Sequence, residues 1–144
     1  MKAPGIVLWS RALAVWLLIA AVETLHGVLR ALYLVPVVGA ARAERIGFVV
    51  ACVLVLAVAW LTNRWLGATT RATQLKVGLL WLLLMFGFEL AVGRARGFSW
   101  PRIGAAFDPS QGGLMIFGLA LMGLAPMLGA WLSRSGRAST SPLP

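Results

Sequence analysis

Four long apolar runs, broken only by scattered polar positions, divide the chain. A helix of ~20 apolar residues crosses a ~30 Å hydrocarbon core, so the pattern predicts an all-α polytopic membrane protein with four transmembrane helices in a compact bundle. Helix 1 is expected over residues 10–33, ending before Val35-Pro36, because the residue preceding a proline is pushed out of helical geometry. Helices 2, 3 and 4 are expected over residues 46–66, 75–92 and 113–132. Pro126 should kink or loosen the last of them. Residues 1–132 then form a single domain, and residues 133–144 (SRSGRASTSPLP) read as a polar, disordered tail.

The turn 67–74 (GATTRATQ) reverses the chain between helices 2 and 3. The longest connection, residues 93–112, reads GRARGFSWPRIGAAFDPSQG, too polar to span and rich in aromatic rings. Phe98, Trp100 and Phe107 suit a segment lying in the headgroup zone. The alternative is a lid folded over the bundle, with Trp100 and Asp108 as its candidate residues.

Composition agrees with the pattern: of 144 residues, 60% are hydrophobic and 12% charged, far from the balance of a soluble domain. The net charge of +9 does not point to nucleic acid, because the 13 basic residues are strewn between apolar runs rather than gathered in a patch. Loops beside anionic lipid explain them better. Eleven Arg against two Lys fits a GC-rich bacterial genome. Lys2 and Arg11 precede an apolar block, as in a signal peptide, but no small-residue cleavage site follows and apolar residues continue past Arg30, so the helix reads as retained.

An even number of spans puts both termini on one side. That side carries Lys2, Arg11, Arg64, Arg71, Lys76, Arg134 and Arg137, against Arg42, Arg45, Arg94, Arg96 and Arg102 on the other. The excess places the termini in the cytoplasm and the chain in the inner membrane. Most of the seven Trp lie near predicted helix ends, where interface anchoring explains them, whereas Trp81 is a core candidate.

The candidate chemistry lies inside the membrane. Ten Leu, Ile or Val between residues 12 and 32 favour insertion by roughly 3 to 6 kcal/mol, against roughly 2.5 to 3.5 for each central charge. Glu23 and Arg30 must therefore face protein, water or the interface. At 100° per residue, Glu23, His26, Gly27 and Arg30 form one polar stripe, and Glu89 of helix 3 shares a face with Gly78, Leu82, Gly93 and Arg96. The expectation is a cross-helix Arg30–Glu89 ion pair, with Glu23 deeper and hydrogen-bonded to His26. The candidate site is thus Glu23, His26, Arg30, Glu89, Arg94 and Arg96. One His and two distant Glu make no metal-ligand spacing, the Met residues are scattered, and the lone Cys52 offers no redox pair, so no metal or cofactor is expected. Gly118, Met122, Ala125 and Gly129 form a ridge on helix 4 that packs inside the bundle or makes a homodimer.

The segments HGVLR, LVPVVG, FELAVGRARGFSW and FDPSQGGLMIFGLALMGLAP resemble a family of small four-helix bacterial inner-membrane proteins of uncharacterised activity. The resemblance covers residues 20–130 and rests on Gly27 and Arg30, on Phe88, Glu89, Gly93 and Arg94, and on Ser99-Trp100. The family more often has Asn at the position of His26 and an acid at that of Ala31. It implies a location and no activity. Two functional readings follow: a structural or accessory membrane protein whose buried Arg–Glu pair specifies packing, and a proton-coupled carrier or channel for a small solute using Glu23. An interfacial enzyme lacks a nucleophile motif, a metal signature and a phosphate loop.

Overall fold

The first helix does not stop at Pro36. In the computed structural model, which describes residues 4–138, α1 (Pro4–Leu29) runs into a π-helical segment (Arg30–Leu34) and then into α2 (Val35–Val38). Proline lacks an N–H and its ring collides with the preceding turn of a regular helix. The wider π turn makes room, Val35 N–H reaches back to Arg30 O, and Pro36 falls in the first turn of α2, where its missing donor costs little. Gly39 alone connects to the next helix, with φ 82 and ψ 159, a conformation that glycine adopts without strain. Arg42, Glu44 and Arg45 are accordingly helical, inside α3 (Ala40–Leu66).

Gly67, left-handed at φ 72, ends α3, and the Thr70 hydroxyl accepts from Thr73 N–H at 3.2 Å to start α4 (Arg71–Ala95). The third connection contains an amphipathic helix, α5 (Trp100–Phe107), before α6 (Met115–Ala138). The α6 helix continues beyond the expected end at residue 132 and carries Pro126 in its interior without ending there. Residues 139–144 of the expected tail lie outside the described residues.

The continuous first span (Gly5–Val38), α3, α4 and α6 are each long and apolar enough to cross a membrane. The first span's 34 residues measure ~51 Å at ~1.5 Å each, so its ends extend past a ~30 Å core or the helix tilts. Outward faces are apolar: Leu17, Leu25, Val49, Leu79, Leu83 and Phe117 are all exposed, as befits lipid contact. This is the make-up of a multi-pass membrane protein.

Small residues decide the packing. Gly78 of α4 lies directly against the backbone of Gly123 in α6, and Gly129 of α6 lies against the backbone of Ala59 in α3. With α6 so closely held by two neighbours, Ala125 is fully buried and Gly118 faces Phe48 of α3. Of the ridge expected to pack inside the bundle or to dimerise, Met122 and Ala125 are buried within the chain and Gly129 lies against α3, where a missing side chain permits the close backbone approach. α1 packs along α3 and touches α4 more sparsely. The α1–α4 seam is joined by Trp81, fully buried, whose Nε1–H donates to Ala12 O at 2.8 Å, and by an edge-to-face contact of Trp16 with Phe88 at 6.2 Å. Trp9, Trp60, Trp65, Trp100 and Trp131 are exposed.

Candidate functional site

Glu23 sits close to the middle of the first span, on the side that meets α4. Its Oε2 lies 3.5 Å from Nδ1 of His26, one turn on, the single acid–base contact within 4 Å among the described residues. Its Oε1 is buried with no hydrogen-bond partner. The two helices run parallel, with Trp81 meeting Ala12 and Phe88 meeting Trp16, and Glu89, the residue after Phe88, lies within Coulombic range of Glu23. Cys52 of α3 is also within that range. Nothing in the sequence placed Cys52 in the site, since an apolar run does not announce which neighbour it faces.

Arg30 does not pair with Glu89. Its stem crosses Gly47 of α3, where a side chain on residue 47 would collide with it. The helical wheel fixes the direction of Cα–Cβ, but a four-bond side chain can lean toward either neighbour, and Gly47 leaves a slot on the α3 side. The carboxyl that was expected to pair with an arginine instead has another carboxyl, Glu23, within Coulombic range. Arg30 lines an apolar groove of about 380 Å³ between α1 and α3, together with His26, Tyr33 and Val50. His26 therefore touches both the groove and Glu23.

Arg94 and Arg96 are exposed and belong to a different cluster. Arg94 donates to Phe98 O at 2.8 Å and lies 5.0 Å over the Trp100 ring, while Arg96 and Arg102 cover Phe98 at 5.1 and 4.0 Å. These cation–π contacts suit a headgroup-level segment. α5 lies back along α4, with Ile103 against Gly93 and Phe107 edge-on to Phe86 at 5.5 Å.

Asp108, the other expected lid residue, makes a turn instead. Its Oδ1 accepts from Ser110 N at 2.9 Å and Ser110 Oγ at 2.7 Å, and its Oδ2 from Gln111 Nε2 at 2.8 Å. These hydrogen bonds, that of the Ser110 hydroxyl foremost, hold its carboxyl below the usual range. A lowered folded value means that the turn is stabilised above the unfolded pKa and loses that stabilisation as pH falls through the folded one. The Ser110 amide resonance should accordingly move only on acidification below about pH 4, and in Asp108→Asn it should no longer respond.

Among the described residues, no group of three or more His, Cys, Asp or Glu side chains is placed to hold a metal ion. No protein-family model, curated protein or solved structure matches the chain.

Proposed function

We propose that the protein carries protons across a bacterial inner membrane, coupled to a small solute, with Glu23 as the group that takes up and releases the proton. The observation that supports this best is the state of Glu23: mid-span, one oxygen without a partner, the other beside His26, and a second carboxyl across the seam. A carboxyl that only fixed helix packing would have both oxygens bonded, because a buried unsatisfied polar atom costs about 1–3 kcal/mol. Two ionised carboxylates within Coulombic range of each other in hydrocarbon are costlier still, and a proton is the smallest ligand that removes the charge. His26 connects the groove to Glu23, so imidazole and carboxyl form a two-step relay, and Arg30 on the groove wall attracts an anionic solute. The resemblance to the four-helix inner-membrane family agrees with this location.

The test is dissipation of a pH gradient by purified protein in liposomes. Glu23→Gln is expected to abolish the flux while melting at the wild-type temperature or above. His26→Asn, which retains a hydrogen-bonding side chain, is expected to slow the flux and change its pH profile. Equal flux from wild type and Glu23→Gln would remove the carrier reading.

A further inference from the structure

The opposite end of the bundle holds a second site. Where α3 ends, α4 begins and α6 ends, a cavity of about 240 Å³ is lined by Asn63, Arg64, Thr69, Gln74, Ser133 and Arg134. Gln74 is 1% exposed. Its Nε2 donates to Ala68 O at 2.9 Å, which fixes the amide's orientation and leaves Oε1 as a buried acceptor with no partner. A buried acceptor in a polar cavity calls for a donor.

The charge at this end is of one sign. The four acids of the sequence are Glu23 and Glu89 at the α1–α4 seam, Glu44 at the start of α3 and Asp108 after α5, so none lies beside the cavity. Among the described residues no carboxylate lies within 4 Å of Arg64 or Arg134 on its rim, and Arg11, bonded to Trp65 O at 3.0 Å, approaches Gly67 on its wall. Two arginines without acid partners, flanking a pocket with an unmet acceptor, complement an anion that itself carries a donor.

The geometry points to a binding site for a phosphate group bearing a hydroxyl or ammonium substituent, the phosphate held by Arg64 and Arg134 and the substituent donating to Gln74 Oε1. A glycerol-bearing lipid headgroup and a free phosphate are the two sources of that chemistry. The first suits a cavity at the end of three membrane-crossing helices, level with the exposed ring of Trp65.

Purified protein in neutral detergent, titrated with short-chain phosphatidylglycerol, short-chain phosphatidylcholine or inorganic phosphate and read by native mass spectrometry and thermal shift, tests the site. Phosphatidylglycerol should bind at least about tenfold more tightly than the donor-free phosphatidylcholine, and the Arg64→Gln/Arg134→Gln double variant should lose that preference. Arg71→Gln/Lys76→Gln, which removes the same charge outside the cavity, should keep it. Inorganic phosphate binding that disappears in the arginine double variant, with both lipids ignored, would support the site and assign it to a free solute. Equal binding of the two lipids by the wild type, unchanged phosphatidylglycerol binding in the arginine double variant, or no binding of any probe would overturn it.

Discussion

Gly78→Leu is expected to leave no folded four-helix bundle in detergent. Any side chain on residue 78 would be driven into the carbonyl group of Gly123, and the obstacle is backbone, which cannot rotate aside as a side chain could. Relief requires α4 and α6 to separate. That movement opens the contact around Val77, Trp81, Met122 and Ala125, the most deeply buried apolar group on these two helices. Ordinary overpacking of a core costs about 1–3 kcal/mol, and a backbone obstruction at a helix crossing should exceed the upper figure. Lipid replaces water on the outer faces, so close packing rather than hydrophobic expulsion holds the two helices together, and loss of contact is not offset. The measurement is size-exclusion monodispersity and thermal melting followed by tryptophan fluorescence. Gly87→Ala on the same helix is the control: nothing lies within 4 Å of a Cβ there, so the variant should melt at the wild-type temperature or slightly above. A Gly78→Leu protein as stable as the control would mean that α4 and α6 do not cross at this point.

The helix interiors were legible because their apolar runs are long, and apolar length is a property that tertiary contacts hardly alter. Helix ends were not. Pro36 was expected to terminate helix 1, but that rule applies to regular α-helix, and a π segment just upstream changes the geometry in which the ring must fit. Periodicity also placed Glu23 and His26 together correctly, since positions three apart on one helix are neighbours whatever surrounds them. It failed for Arg30, whose partner depends on which adjacent helix offers space. The signal existed in Gly47, a glycine within an apolar helix, which marks a place where something else comes close. Gln74 carried no such signal: it is the last residue of the turn-like stretch GATTRATQ, and only the junction of three helix ends buries it.

Trp81→Ala is expected to detach α1 from α4 and to abolish proton flux with it. Trp81 is fully buried, and its indole fills the seam where the two helices are otherwise thinly joined. Deleting a large aromatic side chain from a core costs about 3–5 kcal/mol, the loss of contacts plus the cavity left behind. Trp81→Phe separates the two contributions, because it keeps most of the ring volume and removes only the hydrogen bond to Ala12 O. Hydrogen bonds of this kind between membrane helices average about 0.6 kcal/mol, so the Phe variant should stay folded and melt only slightly early. The functional consequence follows from register. Trp81 with Ala12 and Phe88 with Trp16 hold α1 against α4 while Glu89 lies within Coulombic range of Glu23, and a seam that opens at Trp81 lets the two carboxyls move apart. With Glu89 farther away, Glu23 keeps only its contact with His26, and the repulsion that a bound proton relieves is weakened. Denaturant titration and liposome flux on the same three proteins decide the matter: stability should rank wild type, Phe, Ala, and flux should survive in Phe alone of the two variants. If Trp81→Ala folds and still carries protons at the wild-type rate, the approach of the two acids does not depend on this seam, and the carrier site must be assembled without Glu89.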